Sequence, residues 1–289
     1  MASRKKYHKK FDKACKKLLK MGKMLFQSLI MKRSHKKTLL FIAGCQRSGT
    51  SIMSKIFKRD YHSRVYNEFS VLSDLDVHRI RLNPLPMVRE QISRNKASLI
   101  VLKPLVESQN LSRLLKFFPR SRAIWLYRHY KDVAFSYITK FGLEKGLIDL
   151  QSIVENNPNN WRSEHTSSKT RELILDLFSS DLNYQDGTAL FWYTRNILYF
   201  DANLDANNNI ILCHYNDMVL NPGKILKHIY EFLEIKYPGD RIVCEVHPNS
   251  IGKGSHLLLT PEIEEICSGL YEKLNHASKH YWSEIIGDG

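Results

Sequence analysis

Apolar positions along the chain follow two different rhythms. Four short runs are apolar throughout: Leu39-Leu40-Phe41-Ile42, Leu99-Ile100-Val101-Leu102, Ala123-Ile124-Trp125-Leu126-Tyr127 and Ile210-Ile211-Leu212. None alternates with polar residues, so each reads as a strand buried on both faces, as in a parallel sheet. Between them, spacings of three and four predict helices over 50–57, 111–118, 132–141 and 189–202. Two further helices are signalled by a capping residue followed by proline, at Asn221-Pro222 and Thr260-Pro261. The stretch 155–170 is rich in Asn, Ser and Thr and reads as a surface loop. Strand–helix alternation of this kind predicts an α/β fold, a three-layer doubly wound parallel sheet.

The first 37 residues differ. Tyr7, Phe11, Ala14, Leu18, Met21, Leu25 and Leu29 recur at helical spacing, with lysines on the other faces. They predict a basic N-terminal helix whose stripe either lies on an anionic membrane surface or another polyanion, or packs on its own domain. Two units follow: a basic amphipathic arm over 1–37 and a single domain over 38–289.

Charge sharpens that division. The net charge is +15, yet residues 1–37 hold fourteen Lys/Arg against Asp12, and the rest holds thirty against twenty-eight acids. A near-neutral domain gives no basis for specific nucleic-acid binding; only the arm qualifies. Five scattered cysteines with no C-x-x-C pair point to neither a zinc knuckle nor a disulfide framework. A reducing, cytoplasmic location is expected, with the arm able to reach a membrane periphery. No apolar run approaches the roughly 20 residues of a membrane span. Lys32-Arg33 after the run Met24–Met31 argues against a cleaved signal, so the mature chain is expected to begin at residue 1.

The strongest local signal is Phe41-Ile42-Ala43-Gly44-Cys45-Gln46-Arg47-Ser48-Gly49-Thr50-Ser51. A buried strand enters a glycine-bounded turn and then a helix, whose exposed amides and positive end make an anion cradle. The Gly44-x4-Gly49 spacing matches the triphosphatase loop, but Thr50 stands where that loop has its lysine. Without that lysine the β- and γ-phosphates lose their main charge clamp. Arg47 offers a different cation, suited to a shorter anion chain.

These residues resemble the sulfotransferases that use 3′-phosphoadenosine 5′-phosphosulfate (PAPS). A second segment strengthens the resemblance: Arg128 is followed eight residues later by Ser136, within Tyr127–Ser136. So do His214-Tyr215-Asn216-Asp217-Met218-Val219-Leu220-Asn221-Pro222 and Phe232-Leu233. The motif pattern is nearest to tyrosylprotein-type, heparan-type and bacterial members. The resemblance implies that Arg47, Ser48, Gly49, Thr50 and Ser51 hold the 5′ end of PAPS. It implies that Arg128 and Ser136 hold the 3′-phosphate, with Ser250 and Lys253 of a flexible late loop as further ligands. Arg128 closes a buried strand, where open α/β sheets bind ligands. Tyr215 is expected near the nucleotide or in the core, and Asn216 replaces the family's usual glutamate.

Sulfuryl transfer needs an in-line acceptor oxygen and stabilised charge on the leaving phosphate. Fixed cations supply this without a metal, and Arg47 and Lys103 are the candidates. Lys103 ends the strand Leu99–Leu102, where the resemblance implies a catalytic lysine. The histidine of the phenol- and steroid-type branch is missing after it, in Lys103-Pro104-Leu105-Val106-Glu107-Ser108. That departure points to Glu68, in Val65-Tyr66-Asn67-Glu68-Phe69, as general base; apolar company there would raise its pKa. The competing reading makes Glu68 a surface residue before a helix over 70–75. His62, Asp74 and Glu107 are rivals for the base. Trp192 and Tyr193 read as core.

The reading is therefore a metal-independent PAPS-dependent sulfotransferase acting on a hydroxyl or amine. Glycan, lipid, peptide tyrosine and small alcohol all remain as acceptors, since loops around 60–95 and 140–187 build that cleft. Two other classes stay open: a kinase-like phosphotransferase, which predicts magnesium and ATP binding, and a non-catalytic module working through the arm.

Overall fold

Five parallel strands form one sheet in the computed structural model, which describes residues 21–30, 37–179 and 181–286. They are β1 (Thr38–Gly44), β2 (Ser63–Asn67), β3 (Leu99–Lys103), β4 (Ser121–Tyr127) and β5 (Ile210–His214), in the order β2-β3-β1-β4-β5. The four apolar runs are all strands. The fifth, β2, breaks the apolar pattern because it lies at the sheet edge, where Arg64 is exposed while Ser63 and Tyr66 are buried.

Ten helices flank the sheet among the described residues: α1 (Thr50–Arg59), α2 (Leu85–Ser93), α3 (Leu111–Phe117), α4 (Tyr130–Phe141), α5 (Lys145–Val154), α6 (Ser168–Leu177), α7 (Tyr184–Asp201), α8 (Tyr215–Leu220), α9 (Pro222–Phe232) and α10 (Pro261–Ile286). The early start of α7 comes from its cap. Asn183 Oδ1 accepts from the amides of Gln185 and Asp186 at 2.9 and 3.0 Å. Residues 70–75 form turns rather than a helix.

Alternate side chains of β1 feed two cores, which makes the three layers. Leu39, Phe41 and Ala43 pack with α2 to α7 and the first half of α10. Leu40 and Ile42 pack with Met53, Ile56 and Phe57 of α1 and with α8 and α9. Helices meet both sheet edges, α10 along β5 and the arm at the start of β2. Trp282 Nε1 of α10 donates to the Leu212 carbonyl of β5 at 2.7 Å. Gln27 Nε2 donates to the Ser63 carbonyl of β2 at 2.9 Å.

Of the basic arm, residues 21–30 are helical, closing in a π-helical turn at Phe26–Ile30. Met21, Leu25 and Leu29 of the expected stripe are exposed, so the stripe does not pack on the domain there. Tyr7, Phe11, Ala14 and Leu18 lie outside the described residues. Among the described residues no helix is long and apolar enough to cross a membrane.

Candidate active site

Parallel register brings the strand ends to one edge. Asn67 pairs with Lys103, Phe41 with Leu102, Gly44 with Leu126, and Tyr127 with His214. Glu68, Lys103, the loop after Gly44, Arg128 and Tyr215 therefore all leave the sheet at its C-terminal edge, where open α/β sheets hold ligands.

The loop is shaped by two glycines. Gly44 has φ 119°, and a β-carbon there would lie 2.1 Å from the Leu126 carbonyl oxygen. Gly49, at φ 96°, caps α1, and its β-carbon would lie 2.6 Å from Tyr215 Cδ2. Ser108 pins the strand exit, accepting from the Gly44 amide at 3.1 Å and donating to its carbonyl at 3.2 Å. The Ile52 and Met53 amides donate to the Gly49 carbonyl at 2.9 and 3.0 Å, and the Ser48 amide to the Cys45 carbonyl at 3.3 Å, which leaves the amides of Gly49, Thr50 and Ser51 available to an anion. Ser48 and Thr50 are buried beneath the turn, while Ser51 is exposed. Burial pushes the Cys45 thiol up to about 12, which leaves it a packing group.

Arg47 takes a left-handed conformation (φ 68°) that turns its side chain across the cleft. Its Nε donates to Ser136 Oγ at 3.0 Å, joining two motifs 89 residues apart. Burial and the like charge of Arg128 push its guanidinium below the usual arginine range. Arg128 is 4% exposed, stacks over the Tyr215 ring at 4.3 Å and pairs with Asp132 at 3.2 Å. Its Nη2 donates to the Ser250 carbonyl, and its buried Nε has no partner among the described residues. Arg47 and Arg128 thus set two like charges near each other, with Asp132 pairing only the second, an arrangement that favours an anion between them.

Asp132 also accepts from the amides of Gly252 and Gly254 at 3.0 and 2.8 Å, tying the loop 250–254 to α4. Ser250 thus meets Arg128 through its backbone, and Lys253 is exposed on that loop. Sequence reasoning missed Asp132 and Ser108. The i, i+4 spacing of Arg128 and Asp132 on one helix start was the available signal.

On the other side of β1, Glu68 and Lys103 form an ion pair, with Nζ 2.7 Å from Oε2 and 2.9 Å from Oε1. Glu68 Oε1 also accepts from the Leu105 amide at 3.3 Å. The side chains are 13% and 8% exposed. The apolar company expected around Glu68 is thus an ion pair, lined on one side by Tyr66, Leu72, Leu82 and Leu102. The rival bases sit elsewhere. The His62 carbonyl meets Leu99 at the start of β3, the opposite edge of the sheet. Asp74 accepts from Asn83 at 2.8 Å. Glu107 is held by Arg81 at 2.7 Å and Asn110 at 2.9 Å.

Arg81 also pairs with Glu164 at 2.9 Å, so it joins the loop after Glu68 to the loop before α6. Trp192 supports the backbone at Arg128, its Nε1 donating to the Arg128 carbonyl at 2.9 Å.

An anion cradle at a strand–helix turn, with two arginines beside it, on a doubly wound sheet defines a phosphate-loop fold. A family model described as the sulfotransferase domain matches residues 37–251, and the chain belongs to that family. It is a sulfotransferase. Solved structures of similar fold include the sulfotransferase domain of the Synechococcus PCC 7002 olefin synthase, at 16% identity and TM-score 0.48, over 84% of this chain and 97% of that one. A sulfotransferase from Alicyclobacillus acidocaldarius matches at 11% identity and TM-score 0.46, over 86% and 95%. A mouse sulfotransferase complexed with PAP matches at 16% identity and TM-score 0.40, over 89% and 87%. No curated protein matches the chain.

Proposed function

We propose that residues 38–289 act as one catalytic unit that transfers the sulfuryl group of PAPS to a hydroxyl or amine, with Glu68 as base. The observation that supports this reading is the 3.0 Å bond from Arg47 to Ser136, which links the phosphate turn to the segment that carries Arg128. The residues fit the group. A glycine-shaped turn presents Arg47, Ser48, Gly49, Thr50 and Ser51 to the 5′ end, with the amides of Gly49, Thr50 and Ser51 open to it. Arg128 keeps a buried donor for the 3′-phosphate beside Ser136, and the 250–254 loop with Lys253 lies against it.

Bound there, PAPS supplies sulfur: its bond to the 5′-phosphate oxygen breaks as a bond to the acceptor oxygen or nitrogen forms. Glu68 takes the acceptor's proton. Its carboxylate is oriented by Lys103 and the Leu105 amide, so little reorganisation accompanies that transfer. Lys103 has three donors and can hold Glu68 with some of them while turning another to the leaving phosphate. Arg47 neutralises charge on the same phosphate. No role for a metal enters these steps.

Thermal shift tests the reading. Adenosine 3′,5′-bisphosphate should raise the melting temperature without magnesium, and more than ATP does with it. A preference for ATP with magnesium would instead support a phosphotransferase.

A further inference from the structure

The helical segment 21–30 meets the domain through Lys23, Gln27 and Phe26. Lys23 Nζ donates to the Lys58 carbonyl at 2.9 Å and to Ser63 Oγ at 3.1 Å. Gln27 Nε2 donates to the carbonyls of Tyr61 and Ser63, both at 2.9 Å. Phe26 sets its ring edge-to-face with Tyr61 and His62, at centroid distances of 5.7 and 5.3 Å. Burial, with the like charges of Arg64 and Lys58 and against the pull of Asp60, pushes the Lys23 ammonium down to about 8.

Three other apolar residues face the other way. Met21, Met24 and Leu29 are 50%, 57% and 78% exposed. A helix that served the core would bury these and leave its lysine in water. Here the arrangement is inverted, which costs hydrophobic free energy unless another apolar phase covers the outer face. The surroundings select the phase. Lys58 and Arg64 are exposed beside the segment while Asp60 is buried, and residues 1–37 carry fourteen Lys/Arg against one acid.

We propose that residues 21–30 dock the protein on an anionic lipid bilayer, with Met21, Met24 and Leu29 among the acyl–headgroup boundary and the surrounding bases on lipid phosphates. A polyanion such as RNA or heparin would satisfy the bases and leave the three apolar side chains in water. A bilayer satisfies both. The inference is independent of the nucleotide assignment, since none of these residues lies at the catalytic edge.

The test is flotation of the full chain with phosphatidylcholine vesicles, with and without phosphatidylserine. Vesicles containing phosphatidylserine should bind at least about tenfold more tightly, and high salt should weaken that binding. The double substitution Met21→Asp/Leu29→Asp leaves Lys23 and Gln27 in place. It should lower vesicle binding by about tenfold or more while adenosine 3′,5′-bisphosphate still shifts its melting temperature as in the parent. Three results overturn the proposal: no flotation of the parent chain, equal flotation of parent and double variant, or capture by RNA or heparin alone with no vesicle binding.

Discussion

At Arg128 a guanidinium is held almost wholly out of water by one carboxylate, one carbonyl and a tyrosine ring. Removing the carboxylate exposes what that arrangement costs. Asp132→Ala leaves the buried cation unpaired and frees the amides of Gly252 and Gly254. It should cost about 3–5 kcal/mol in urea unfolding, and much of that should return when adenosine 3′,5′-bisphosphate is added. Gly49→Ala meets both a positive φ and a 2.6 Å approach to Tyr215. It should destabilise the loop by about 1–3 kcal/mol and weaken nucleotide binding, read by calorimetry. Glu68→Gln keeps the shape but not the proton acceptor. Its turnover should fall about 10²–10⁴-fold with nucleotide affinity unchanged, whereas a parental rate would remove Glu68 from the base role.

At the scale of elements, one arginine joins the loops beside Glu68. Arg81 bridges Glu107 and Glu164 and so clasps the loop after β2 to the loop before α6. Burial works against the charge on Glu164, but hydrogen bonds from Arg81, Gln109 and Asn110 outweigh it and hold the carboxyl below its ordinary 4.5. A depressed carboxyl contributes stability that is full above its unfolded value and is lost as pH falls through the folded one. Urea unfolding between pH 6 and about 3 should therefore show a loss that Arg81→Met largely removes. An unchanged pH dependence in that variant would contradict the clasp.

The same scale separates what the chain made legible from what it hid. Four strands were readable because both faces are buried, and that leaves continuous apolar runs. The edge strand β2 was not, since Arg64 and Asn67 interrupt its pattern, and with β2 went the ion-paired setting of Glu68. Gly44, Arg47 and Gly49 were legible because a phosphate turn demands glycine at fixed places. Asp132, Ser108 and the Arg81 clasp were not. Their roles come mostly from partners 64 to 122 residues away or on facing loops, which no local spacing records; only the i, i+4 pair of Arg128 and Asp132 left a trace along the chain.

For the molecule as a whole, the sheet sorts functions by edge. Its C-terminal edge gathers the cations and Glu68, and the N-terminal end of β2 receives the arm helix through Tyr61, His62 and Ser63. In the proposed site, Arg47 and Arg128 grip opposite ends of one nucleotide. Calorimetry with adenosine 3′,5′-bisphosphate and adenosine 5′-phosphate on the parent chain and on Arg47→Ala and Arg128→Ala tests it most directly. The parent should favour the bisphosphate, and Arg128→Ala should bind the two ligands alike. Arg47→Ala should weaken both ligands and keep the preference between them. A bisphosphate preference that survives in Arg128→Ala would contradict the claim.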